Sequence, residues 1–115
     1  MKDYLFIIRS KPTTPEMIAS VTPQWGAVIP KWVQQGHFVE SSLLYNEGNF
    51  ISVNERTREN GPVINGEYAV VAVLKMKADN LEQAIELAKE CPTLNLGATV
   101  EVREVQPKHV APASN

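Results

Sequence analysis

One cysteine and two histidines are the only thiol and imidazole side chains in these 115 residues. Cys91 has no second thiol to bridge, so no intramolecular disulfide staples the chain. His37, Cys91 and His109 lie far apart and show none of the paired spacing of a zinc or other transition-metal site. Cys91 also falls where a helix should end, a place for a small buried apolar residue rather than a nucleophile. Basic charge is scarce as well: 11 Lys and Arg against 13 Asp and Glu leave a net charge of −2, with the cations scattered. A phosphate backbone needs a concentrated positive field, so nucleic acid is not an expected partner. No apolar run approaches the roughly 20 residues that span a bilayer. The chain passes from Met1-Lys2-Asp3 directly into a strand-like run, without the apolar stretch and small-residue cleavage site of a secretory leader. These absences predict a cytoplasmic protein with no membrane partner, no metal and no cofactor.

What is present is an ordinary globular composition, 43% hydrophobic and 21% charged. It suits one domain, over residues 1–105, with a single core that needs no staple. Residues 106–115 read as a mobile tail. Tyr4 to Arg9 (YLFIIR) is rich in aromatic and β-branched residues and reads as a strand. Thr14-Pro15-Glu16 then has the chemistry of a helix start: a hydroxyl cap, a proline whose missing N–H is not needed, and an acid at the positive end. Met17, Val21, Trp25, Val28 and Trp32 recur every three or four residues, which defines one buried face of a helix reaching Gln35. Pro23 and Pro30 predict a kink, and Gly36 closes the helix.

His37–Leu44 and Phe50–Asn54 read as a β-hairpin around the turn residues 45–49. The polar stretch from Glu55 to Gly66, with two Asn-Gly pairs, reads as a loop. Tyr68 to Met76 is the strongest strand. Tyr68, Val70, Ala72, Leu74 and Met76 form one of its faces, and Ala69, Val71 and Val73 the other. Both faces are apolar, whereas a strand with one wet face alternates. Asp79 or Asn80 caps a second helix whose stripe is Leu81, Ala84, Ile85 and Ala88, and Pro92 ends it. Thr99 to Val105 alternates cleanly as a last strand.

This order of elements is the split βαβ pattern of a ferredoxin-like α+β fold, with an extra β-hairpin. Helices cover only one face of such a sheet. The second apolar face, with Leu5, Ile7, Val71 and Val73, therefore calls for a cover, and another copy of the chain is the simplest one.

The YLFIIR strand, the Thr14-Pro15-Glu16-Met17 start followed by Trp25 and Trp32, and Gly36 before a strand give the chain a family likeness. Asn60-Gly61-Pro62-Val63 and the run LEQAIELAKECP before VEVREV are the most specific parts of it. Over residues 2 to 105 the chain resembles the YCII-related proteins, within the branch named for an Asp-Gly-Pro-Phe motif. The resemblance implies a homodimer of the dimeric α/β-barrel type. Most relatives lack a demonstrated activity, and a few are small-molecule enzymes that use a His and Asp pair. Asn60 stands where the motif has aspartate and Val63 where it has phenylalanine, and an amide is no carboxylate base. Gln24 and Trp25 occupy the region where catalytic relatives carry histidine, so no catalytic residue is transferred.

The residues themselves offer six candidates for a pocket between helix and sheet: Arg9, Trp25, His37, Ser41, Asn60 and Glu67. Trp25, with Trp32, would wall an apolar cavity, the role aromatics take in ligand sites and equally in cores. Arg9 would face an anion, and Ser41 and Asn60 would add hydrogen bonds. His37 and Glu67 are the titratable members. These candidates suit a homodimer that binds a small organic molecule. They also leave open a cofactor-independent lyase or isomerase acting on a small organic acid, or a protein-interaction or regulatory module.

Overall fold

The first run forms strand β1, Lys2–Ser10, and its alternation sets which way it faces. Tyr4, Phe6, Ile8 and Ser10 are buried, and Leu5, Ile7 and Arg9 between them are half-buried. The computed structural model describes residues 1–51, 56–62 and 67–107, with the backbone alone for Phe50 and residues 56–62. The elements that follow β1 are α1 (Pro15–Gln34), β2 (Phe38–Leu43), β3 (Glu47–Ile51), β4 (Arg56–Pro62), β5 (Ala69–Ala78), α2 (Leu81–Ala88), a short 3-10 helix (Pro92–Leu96) and β6 (Thr99–Glu104). A four-stranded sheet has the order β2-β5-β1-β6, and β3 pairs with β4 in a separate two-stranded ribbon. All these pairings are antiparallel. The chain is α+β, and its sheet order is compatible with a ferredoxin-like fold carrying the ribbon between β2 and β5.

Local chemistry starts both helices where the sequence places them. The Thr14 hydroxyl accepts from the Met17 amide at 3.1 Å, with Pro15 just inside the helix. Asn80 accepts from the Gln83 amide at 2.9 Å, and the Gln83 side chain reaches back to the Asp79 amide at 2.7 Å. Such caps contribute on the order of 1 kcal/mol each. Pro23 and Pro30 lie inside a helix that runs unbroken from Pro15 to Gln34. Both rings are exposed, so the backbone each disrupts lies on the solvent side, where water can serve it. Gly36 ends α1 with a φ of 80°, a left-handed conformation that glycine adopts without strain.

Trp32 of α1, Ala84, Leu87 and Ala88 of α2, and Cys91 close over Tyr4, Phe6, Ile8, Ala72, Leu74, Met76 and Ala78 of the two central strands. Both helices therefore lie on the sheet face that carries Tyr4 and Phe6. Leu81 and Ile85, expected in the stripe of α2, are instead 46% and 38% exposed, and Leu87 joins the buried set. The helix is rotated so that its alanines meet the sheet, where small side chains allow close approach.

Two expectations about pairing are corrected. Residues 37–44 and 50–54 do not form a hairpin: β2 bonds to the apolar β5, and β3 takes β4 as partner. The polar composition of Arg56–Pro62 reads as loop because an inserted two-stranded ribbon is not held to the alternation of a strand on the core. Asn60-Gly61 accordingly sits inside a strand, with Gly61 opposite Gly48, rather than at a reversal. On β5 the register shifts between Ile8 and Arg9 of its neighbour: Ile8 faces Ala72, but Arg9 faces Val70. Val71 is the extra residue, and beyond it the faces exchange, so Ala69 joins Ser10 on the helix side and Val70 joins Arg9 on the other. The expected Asn65-Gly66 turn, His109 and most of the expected tail fall outside the described residues.

Candidate functional site

The sheet face turned away from the helices, the open face, is built by the odd-numbered residues of β1. Registered beside Leu5, Ile7 and Arg9 are Lys75, Val73 and Val70 of β5 on one flank and Arg103, Glu101 and Thr99 of β6 on the other. Its centre is apolar, and Leu5, Ile7, Val70 and Val73 are all half-buried within one chain. Charge rims it. Arg9 is ion-paired with Glu101, their side chains 36% and 38% exposed, and Arg103 reaches the other oxygen of the same carboxylate at 3.5 Å. At the far end Lys77 donates to Asp3 at 2.9 Å and holds that carboxyl below its ordinary range. Glu40 of β2 is in register with Lys75.

The opposite face is filled with aromatic rings. Trp32 and Phe6 are fully buried and meet edge to face at 6.4 Å, and half-buried Trp25 meets Trp32 the same way at 6.1 Å. The Trp32 indole N–H is buried there with no hydrogen-bond partner among the described residues. His37 is buried at the end of α1. Its Nδ1 lies 2.8 Å from the Lys77 carbonyl, while its own backbone donates to the Trp32 carbonyl and accepts from the Lys77 amide. That is the environment of a histidine that ties α1, β2 and β5 together.

The six candidates are thus dispersed. Arg9 lies on the open face, and Trp25 and His37 lie on the helix side. Ser41 is exposed on the edge strand β2, in register with Leu74. Glu67 is exposed and pairs with Lys11 at 3.2 Å, and the Lys11 ammonium stands 5.6 Å from the centre of the Tyr68 ring. Asn60 lies in β4, with its side chain outside the described part. Among the described residues, Arg9 and Glu101 form the one pairing that joins a candidate to another half-buried charge. The alternation of TVEVRE places Glu101 and Arg103 on one face, but which strand they lie beside is a matter of topology that the sequence does not carry.

Among the described residues no three His, Cys, Asp or Glu side chains converge as metal ligands. No helix of the described residues is long and apolar enough to cross a membrane. Cys91 is 2% exposed, and burial, with the Glu90 charge beside it, pushes its thiol up to about 12. The thiolate is the reactive form. Ellman's reagent should therefore leave the native protein untouched over minutes at pH 8 and titrate one thiol once urea unfolds it. Prompt reaction without denaturant would contradict the buried placement.

Compared with known proteins, the chain matches no family model, and no curated protein matches it.

Proposed function

We propose that this chain is a YCII-related protein of the dimeric α/β-barrel type, which pairs with a second copy through the open face of its sheet and holds a small organic acid against that face. The observation that carries this reading is the open face itself. Four apolar side chains on two adjacent central strands sit at its middle, while both helices lie on the other side. Apolar surface of this kind is stabilised by a cover. The seam between α1 and the sheet is taken up by Trp32, Tyr4 and Phe6, all fully buried. A ligand carboxylate on the open face would meet Arg9, a guanidinium suited to it and held in place by Glu101.

Light scattering is the direct test. Val73→Asp sets a charge in the middle of the covered face, and its unpaired burial opposes association. The expected result is an even-numbered assembly in the wild type and half that mass in the variant, with unchanged far-UV circular dichroism. A variant of unchanged mass would sink the dimer reading. For the ligand, a thermal-shift panel of small mono- and dicarboxylic acids should raise the melting temperature of the wild type but not of Arg9→Gln. A panel without effect on either would remove the ligand from the proposal.

A further inference from the structure

The outer edge of β6 is regular and, among the described residues, unpaired. β6 pairs with β1 from Glu104 to Thr99 without a register break, whereas β2, at the other edge of the sheet, carries a break between Phe38 and Glu40. Exposed edges are normally interrupted by bulges, prolines or covering segments, because a regular row of unpaired N–H and C=O groups is a template for another strand. Beside this edge, between α2 and β6, runs an open apolar groove of about 410 Å³ lined by Leu81, Ile85, Leu94, Val100 and Val102.

The direction of the backbone groups selects what fits. The Val105 amide donates to the Asp3 carbonyl at 2.9 Å, so the odd-numbered residues of β6 bond inward to β1. Val100, Val102 and Glu104 consequently turn their N–H and C=O groups outward. An antiparallel second strand must pair those even residues with outward groups of its own. If that strand is β6 of another copy, three registers are central enough to use most of the edge. Centring the two-fold on residue 101 sets Glu101 against Glu101, and centring it on 103 sets Arg103 against Arg103. Centring it on Val102 sets each Glu101 against the other copy's Arg103, and pairs Val102 with Val102 and Val100 with Glu104. Opposite charges directly across a ladder are favourable and like charges are not. The register that uses all three outward residues is therefore also the one with complementary charge.

We infer that β6 is a second self-association site, joining two copies edge to edge through a two-fold at Val102 into one continuous sheet. Val102 lines the groove, so this contact also brings the two apolar grooves together across the axis. The edge contact uses the outward backbone of β6 and the open-face contact the apolar middle of the sheet, with Glu101 and Arg103 at the rim they share. A chain that uses both, with the two two-fold axes meeting at right angles, assembles as a tetramer.

Charge complementation tests it. Glu101→Lys and Arg103→Glu each place like charges opposite one another in the copy-to-copy ladder. In an equimolar mixture the introduced lysine of one variant faces the introduced glutamate of the other, and the unaltered Arg103 of the first faces the unaltered Glu101 of the second. Sedimentation should show a tetramer in the wild type, half that mass for each variant alone, and recovery of the wild-type mass on mixing. Glu104→Pro removes an outward N–H while leaving the backbone bonds to β1 intact, and should also halve the mass. If these three variants keep the wild-type mass while Val73→Asp halves it, the edge inference fails and the open-face reading stands. If they halve it and Val73→Asp does not, the reverse holds. Halving without recovery on mixing overturns the Val102 register, and a monomeric wild type overturns both contacts.

Discussion

Trp32→Ala should be among the most damaging single substitutions in this protein, lowering unfolding stability by about 3–5 kcal/mol in a urea titration. The side chain is fully buried and braced edge to face by Phe6 on the sheet and Trp25 on its own helix. Truncation removes both contacts and leaves a cavity where α1 meets the central strand. A domain of this size has on the order of 5–15 kcal/mol in total, so the variant would be marginal at 37 °C. Trp32→Phe separates packing from polarity. It gives up volume but also removes an N–H that is buried with no partner among the described residues. Leaving such a donor unsatisfied costs about 1–3 kcal/mol, which offsets part of the lost contact. The phenylalanine variant should accordingly lose less than half of what alanine loses, and equal losses would mean that the indole N–H has a partner after all.

Leu74→Ala and Val73→Ala form the second test, because adjacent residues of β5 face opposite ways. Leu74 is 3% exposed and packs among the rings of the core. Its truncation should cost about 2–5 kcal/mol at any protein concentration. Val73 is half-buried in one chain, and its remaining surface is covered by a second copy under the proposed assembly. The loss at Val73 should therefore grow with protein concentration, since association adds stability by mass action. Unfolding midpoints measured over a dilution series of about a hundredfold distinguish the two. A Val73→Ala effect that does not vary with concentration would argue against a covered open face.

Legibility follows the range of the interactions. The helix starts at Thr14 and Asn80 and the end at Gly36 are readable because each cap is decided within one turn of the chain. The buried stripe ending in Trp32 is readable because its period is fixed by the helix. A hairpin over residues 37–54 is the wrong reading because β2 and β3 each bond to strands other than one another, and composition is silent about partners. The exchange of faces at Val71 is equally hidden, since one extra residue in a ladder leaves no mark in an apolar run. The candidate site suffers most. Arg9 is visible as a charge at a strand end, but its partner Glu101 is brought beside it only by the β1–β6 pairing.

The position of β1 in the sheet has a further consequence, for the order of events in synthesis. β1 leaves the ribosome before the other strands of its sheet, yet its neighbours are β5 and β6, so its ladders close only after the intervening elements have been made. Until then the segment YLFIIR has neither of its native partners. Long-range pairing of this kind slows folding and leaves apolar segments available to wrong partners. The nascent chain is therefore vulnerable from the synthesis of β1 until that of β6, and its two helices, which form locally, wait for a sheet to pack on. Truncation just before β6 would leave one side of the central strand bare, and such a fragment is expected to aggregate rather than persist as a smaller domain.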